Sequence, residues 1–340
     1  MSDFDELLLV AQELATQSAN KHVVVIGDAM LDRFCYGKTT RQSPEANCNV
    51  ILVERTVICA GGAANAAIGV SLLGPQVTFM SLVGDDSEGI TLKSIIDSQS
   101  ITSTLITDST RPTCVKTRIY DSGSQLARID IERSEDISKS FQDQVLSALQ
   151  QSGQTIDALL LSDYDKGLLT PELTQQVIAF ARSRNIPVIV DPKGSNFAKY
   201  RFATVITPNL REIEVGSSIT QVDTISMDEA IARLMDDTDN SSSFVVTKGP
   251  SGMSLYRQSP MPRIDIEAHK CHPIDVTGAG DCVASVIAVC LACGIELESA
   301  MYLANLVGAI AVSNLGTYAV GLDDILQAAD SKVISGNLPS

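Results

Sequence analysis

The run Asp275-Val276-Thr277-Gly278-Ala279-Gly280-Asp281 carries the residues most suited to chemistry. It leads into residues 282–289, an apolar stretch that predicts a helix. Small residues ahead of a helix leave its first N–H groups uncovered, and together with the helix dipole they make an anion site. An acidic residue at the mouth of an anion site is electrostatically misplaced unless it has a task. Phosphoryl transfer reconciles the two. The backbone N–H groups of Gly278, Ala279 and Gly280 hold the phosphate, while Asp281 takes the proton of the attacking hydroxyl. The plainer alternative is a glycine turn with Asp281 as a first-turn dipole partner.

Other polar clusters fit the same chemistry. Gly61-Gly62-Ala63-Ala64-Asn65 opens a second apolar helix, expected to run to Leu73-Gly74. The two glycines let a ligand approach the backbone, and Asn65 offers a donor and an acceptor, unless it only caps the helix. Asp28 and Asp32 follow a first strand at residues 23–26, placed to accept hydrogen bonds from hydroxyls or to cap turns. Asp191-Pro192-Lys193-Gly194, Thr207-Pro208-Asn209-Leu210-Arg211-Glu212 and Thr247-Lys248-Gly249 each follow a short apolar strand. In open α/β sheets ligands bind at the carboxyl ends of the strands. Lys193 is a point charge suited to phosphate. Asn209 and Glu212 suit either Mg²⁺ held through water or a helix capping box.

The chain resembles the ribokinase-type (PfkB) carbohydrate kinases over nearly its full length. Gly61-Gly62 with Asn65 and the Gly-Ala-Gly-Asp run are general to that family. Gly27-Asp28-Ala29-Met30-Leu31-Asp32-Arg33-Phe34, Ser43-Pro44-Glu45-Ala46, Asp163-Tyr164-Asp165-Lys166-Gly167 and Asp191-Pro192-Lys193-Gly194 are similar to its heptose 7-phosphate kinase branch. Two stretches, Asn47-Cys48-Asn49 and Gly123-Ser124-Gln125, depart from that branch, which leaves other sugars such as ribose, fructose or a hexose phosphate as alternatives. A sugar- or nucleotide-binding protein without catalysis is the alternative from another class. A nicotinamide dehydrogenase is excluded, since no Gly-x-Gly-x-x-Gly follows the first strand.

The resemblance implies an α/β, ribokinase-like fold: a central, mainly parallel sheet with helices on both faces, and a small β lid often shared between two subunits. It implies ATP and Mg²⁺ as cofactors, with K⁺ as a further candidate. Asp28 ranks above Asp32 as the carboxylate that grips substrate hydroxyls, with Asn65, Gly61 and Gly62 holding more of them. Thr247, Gly249 and Gly252 would border the nucleotide, and Asn305 would approach adenine. Asp275 and Thr277 match where relatives hold a monovalent cation, although Val320 stands where several carry serine. Lys116, Arg118, Arg128 and Arg41 are candidates for the substrate phosphate, or else solvated strand charges. Bifunctional relatives add a nucleotidyltransferase with a His-x-Gly-His signature. Here only His22, His269 and His272 occur, and a last helix expected to end near Ile334 leaves residues 335–340. The expected product is a sugar 1,7-bisphosphate.

The elements that must position these residues are legible in outline. An acidic amphipathic helix is expected at about residues 4–18, and strand–helix alternation from about 135 to the end, in one domain over 1–340. Residues 240–243 read as a loop. Residues 35–58 and 113–132 break the rhythm with β-branched and polar alternation. Val115–Tyr120 and Leu126–Ile131 around Asp121-Ser122-Gly123-Ser124 give a hairpin signal, so these regions form the lid. A lid excludes water from phosphoryl transfer.

The 340 residues are 44% hydrophobic and lack tryptophan. A net charge of −16 argues against nucleic acid or anionic membranes as partners and leaves small molecules. Leu7-Leu8-Leu9-Val10-Ala11 is too short for a span and follows acidic residues. Eight cysteines scattered through apolar segments read as buried reduced thiols, including Cys290 and Cys293 despite their metal-like spacing. A cytoplasmic homodimer joined through the lid is the expected context.

Overall fold

The computed structural model describes residues 3–151, 155–219, 226–258 and 260–331. In chain order the strands are β1 (His22–Gly27), β2 (Ala29–Gln42), β3 (Asn49–Gly62), β4 (Gln76–Val83), β5 (Ile101–Thr107), β6 (Cys114–Asp121), β7 (Ser124–Ile131), β8 (Ala158–Ser162), β9 (Val188–Asp191), β10 (Val205–Ile206), β11 (Ser243–Thr247), β12 (Met253–Tyr256) and β13 (Ile264–Ile266). The helices are α1 (Asp3–Gln17), α2 (Ala63–Leu72), α3 (Ser87–Asp97), α4 (Lys139–Gln151), α5 (Pro171–Arg182), α6 (Leu210–Ser217), α7 (Ser226–Asp237), α8 (Ala279–Ala292), α9 (Leu297–Val312) and α10 (Leu322–Asp330). No described helix is long and apolar enough to cross a membrane.

The main sheet runs β13-β12-β11-β10-β9-β8-β1-β4-β5. Its strands are apolar on both faces because helices cover both, the pattern of a buried parallel sheet. Val23 and Val25 of β1 join one core with α1, α2, α8, α9 and α10, while Val24 and Ile26 join the other with α4, α5, α6 and α7. Strands from β5 to β11 in this sheet pair in parallel; β12 and β13 are antiparallel. The expected alternation to the chain end therefore stops at β11. Gly252, at φ 82°, turns the chain straight back, and α8, α9 and α10 follow without a further strand. The last helix ends at Asp330; its expected extension to Ile334 lies outside the described residues.

The lid is a second sheet, β3-β2-β6-β7. It begins earlier than expected, because β2 starts at Ala29, one residue after β1, and β3 runs on to Gly62. The first half of β2 is buried at the root of the lid and so lacks the alternation that marks its exposed half. Gly61 and Gly62 thus end a strand, and the helix opens at Ala63. The hairpin β6–β7 turns on Ser122 and Gly123, both at positive φ.

Helices α2 and α8 run side by side in the same direction. Asn65 meets Asp281, and one turn on, Gly69 meets Ser285, whose hydroxyl donates to the Ala66 carbonyl at 3.0 Å. A Cβ on Gly69 would lie 3.1 Å from Ser285 Oγ. Gly69→Val is therefore expected to wedge the helices apart and cost about 1–3 kcal/mol, the usual range for overpacking. Urea denaturation checks this; an unchanged midpoint would contradict the close approach.

Candidate active site

Gly278, in the left-handed region at φ 80°, is the N-cap of α8, and no side chain caps the helix's first amides. Asp281 sits in that first turn and is buried. Asn65 Nδ2 donates to its Oδ2 at 2.9 Å, and the Tyr164 hydroxyl donates to its Oδ1 at 2.7 Å. Burial raises the Asp281 carboxyl to about 7, against the lowering effect of those two hydrogen bonds. A carboxyl near neutrality is suited to take a proton from a hydroxyl and release it afterwards. Gly280 next to it faces open space: the nearest atom to an added Cβ would be Asp191 Oδ2 at 3.9 Å.

Tyr164 comes from the loop after β8, and that loop hangs on Asp28. The Asp28 carboxylate accepts the backbone N–H groups of Tyr164 (2.9 Å), Lys166 (3.1 Å) and Leu168 (3.2 Å). Burial and the nearby Asp163 raise its proton affinity to about 6. Asp28 thus organises the loop, with both of its carboxylate oxygens engaged by backbone amides. Asp32 stands on β2 with its carboxylate against Gly61, where a Cβ would collide with Oδ2. Its Oδ1 pairs with Arg118, whose guanidinium lies over the Phe34 ring at 5.2 Å. Asp163, at the start of the loop, is held by the buried Lys199 at 2.6 Å and the Tyr200 hydroxyl at 2.8 Å.

Asp191, half-buried at the end of β9, lies near Glu212 and Asp281, and desolvation followed by those charges pushes its carboxyl well up. Lys193 pairs with Glu212 at 2.8 Å while remaining half exposed. Asn209 and Glu212 form the capping box of α6: Glu212 N–H donates to Asn209 Oδ1 at 3.0 Å and Asn209 N–H to Glu212 Oε2 at 2.9 Å. Thr247 closes β11 beside Asn209, and Gly249 follows with open space around it. At Gly252 the backbone is tightly packed, since a Cβ there would lie 2.0 Å from the Ile266 carbonyl oxygen. Asn305 binds the Glu267 carbonyl at 2.7 Å and so fastens the segment after β13. Asp275 accepts from Thr277 N–H (2.9 Å), the Thr277 hydroxyl (2.7 Å) and Gly316 N–H (3.1 Å), tying the loop before α8 to the turn after α9. Among the described residues no cluster of three or more His, Cys, Asp or Glu could cage a metal.

The lid cations are paired. Lys116 meets Glu132 (3.0 Å) and Asp130 (3.5 Å), Arg128 meets Asp130, and Arg118 meets Asp32. Three of the expected phosphate-holding residues are therefore neutralised within the lid, and Arg41 lies exposed near the far end of β2. The thiols divide differently from expectation too. Cys114, Cys282, Cys290 and Cys293 are buried, but Cys48 is exposed at the tip of the β2–β3 hairpin, where no core exists to cover it. Tyr164, Lys166 and Asp191 were visible only as parts of motifs; the signal for their roles is their place just after β8 and at the end of β9.

The family pattern described as pfkB family carbohydrate kinase matches residues 20–324. Among curated proteins, the bifunctional protein HldE of Geobacter sulfurreducens is 40% identical over 306 residues, 90% of this chain and 62% of that protein. HldE of Pasteurella multocida is 39% identical over 316 residues, 92% of this chain and 64% of its own length. The chain thus spans somewhat under two thirds of these relatives. Two solved structures share the fold at low identity, each covering 92% of this chain and 99% of its own. Escherichia coli phosphofructokinase-2 in complex with potassium gives a TM-score of 0.74 at 17% identity, and Arabidopsis thaliana ribokinase complexed with ribose and ATP gives 0.70 at 18%. With a buried carboxylate at a glycine-capped helix N-terminus and a family pattern over residues 20–324, the chain belongs to the pfkB family of carbohydrate kinases.

Proposed function

We propose that this chain transfers the γ-phosphoryl group of ATP to O1 of D-glycero-D-manno-heptose 7-phosphate, giving the 1,7-bisphosphate. The observation that carries this is Asp281, whose burial at the N-terminus of α8 raises its proton affinity to near neutrality while Asn65 and Tyr164 donate to it. Asp281 accepts the proton of the sugar hydroxyl, and the amides after Gly278 stabilise the phosphoryl group in flight. Asp32, beside Gly61, is the carboxylate that grips sugar hydroxyls, and Asn65 acts through Asp281. The heptose assignment rests on the Asp-Tyr-x-Lys-Gly and Asp-Pro-Lys-Gly runs and on the extent of similarity to HldE proteins.

Lys193 meets the nucleotide phosphates, with Thr247 and Gly249 at its border and Asn305 toward the base. A Mg²⁺ that keeps its water and binds the substrate phosphates fits the residues present, because such an ion needs no protein cage. Glu212 and Asn209 would hold it through water, since each carboxylate oxygen retains an acceptor site beyond its capping and Lys193 bonds. Bound Mg²⁺ would neutralise phosphate charge. Asp275 and Thr277 are the candidate monovalent-cation residues, K⁺ by chemistry, at the junction of two backbone turns. The lid is the proposed dimer surface. Its two outer strands expose Leu52, Val53 and Val57 on β3 and Leu126, Ile129 and Ile131 on β7, apolar surface on both faces of the lid that a second copy would cover.

Asp281→Asn is expected to lower turnover roughly 10²–10⁴-fold with little change in the Michaelis constant for ATP. Stability supplies a second readout. The Asp281 carboxyl is raised in the folded state, so its contribution to stability is full below its ordinary value and lost as pH rises through about 7. The Asn variant should accordingly gain melting temperature over the parent at pH 8 relative to pH 5. Near-normal turnover would exclude Asp281 as the base.

No His-x-Gly-His run occurs in this sequence, so it is expected to release ADP and the 1,7-bisphosphate. Incubation with ATP and heptose 7-phosphate, read by mass and phosphorus NMR, checks this. Pyrophosphate with an ADP-sugar would contradict it, and no reaction would favour another sugar or a binding-only protein.

A further inference from the structure

A sugar-phosphate acceptor brings a second anion that the transfer machinery around Asp281 does not bind. In a chain of net charge −16, that anion needs a local concentration of cations. One lies at the root of the lid. Lys116 stands beside Asp32 in the β2–β6 register, and Lys166 follows Tyr164 by two residues in the loop that Asp28 pins. One loop therefore carries both a donor to the base and a member of the cation cluster.

The two ammonium groups converge on a single carboxylate. Glu132 Oε2 takes Lys116 at 3.0 Å, and Glu132 Oε1 takes Lys166 at 2.8 Å. The lysine side chains are 11% and 18% exposed, and that of Glu132 is 27% exposed. Arg118, on Asp32, completes the cationic side of this surface. Two ammoniums sharing the oxygens of one anion is the arrangement a phosphomonoester dianion would adopt, and lysine, a point charge with three donors, suits phosphate from several directions. Glu132 is the member best placed to leave. It lies one residue beyond β7, in the irregular stretch before α4, and is the most exposed of the three. Arg128 holds only Asp130, on its own strand, and lies largely outside.

We propose that Lys116 and Lys166 form the subsite for the terminal phosphate of the acceptor, and that the Glu132 carboxylate occupies this subsite until the substrate displaces it. The proposal rests on the sugar-phosphate reading above and narrows the four lid cations to one lid lysine and one loop lysine. It also gives a source of selectivity: a sugar without a phosphate leaves the Glu132 bridge in place.

The test compares Lys116→Met, Lys166→Met and Glu132→Gln in the full chain, with melting measured alongside. Steady-state kinetics vary heptose 7-phosphate and ATP separately. Isothermal titration follows inorganic phosphate with the nucleotide site saturated by ADP. Each lysine variant is expected to raise the Michaelis constant for the sugar phosphate roughly 10-fold or more, as loss of a charge-assisted hydrogen bond does, with that for ATP unchanged. Glu132→Gln is expected to lower the sugar-phosphate constant several-fold and to tighten phosphate binding. If Glu132→Gln weakens both, Glu132 is a structural bridge and the proposal fails. It fails equally if the lysine variants leave phosphate affinity unchanged. Should a lysine variant not fold, Glu132→Gln decides alone. The phosphate titration needs no turnover, so failure of heptose 7-phosphate as substrate would count against the functional reading and leave the subsite to be judged by binding.

Discussion

A buried carboxylate at the start of a helix is the constraint on which the rest of this molecule depends. Asp281 has lost its water, which favours the neutral acid, yet the α8 N-terminus and two hydrogen-bond donors favour the charged form. The balance falls near neutrality, where a base is most useful. Neither donor is local in sequence. Asn65 arrives on α2 after the first arm of the lid, and Tyr164 arrives on the loop after β8. The helix pair α2–α8 and the centre of the main sheet must therefore be in register before Asp281 has both donors.

That requirement explains features of the fold that carry no chemistry themselves. Gly69 and Ser285 bring the two helices close enough for Asn65 to reach Asp281. Asp28 gathers three backbone amides to shape the loop bearing Tyr164, and the Asp163–Lys199–Tyr200 group fixes where the loop begins. The same loop touches the lid through Lys166 and Glu132. Lid, Asp281 and sheet edge are thus joined by one short segment, residues 163–168.

The glycine-capped helix, the strand ends and the hairpin were legible in the sequence because each is a local pattern: small residues before an apolar run, polar clusters after β-branched runs, a two-residue turn. The capping box of Asn209 and Glu212 was legible as an alternative for the same reason. What escaped was set by tertiary partners. Asp28 and Asp32 are the same residue type four positions apart, and only the path of β2 decides that one meets backbone amides and the other Gly61 and Arg118. The pairing of Lys116 with Glu132 depends on the β6–β7 register, and that of Lys166 with Glu132 joins residues 34 apart in the chain, so their charges read as free when taken singly. The antiparallel β12 and β13 escaped because a parallel and an antiparallel apolar strand look alike until the turn between them is known.

The central claim is that the donors on Asp281 set the proton affinity of a working base. The pH dependence of kcat/KM in the parent and in Tyr164→Phe tests it most directly. The Tyr164 hydroxyl lowers the Asp281 value toward about 7, so removing it should move the acidic limb of the profile to higher pH while the alkaline plateau is largely kept. An acidic limb at the same pH in both proteins would contradict the account, because Asp281 would then not be the group whose ionisation the rate follows.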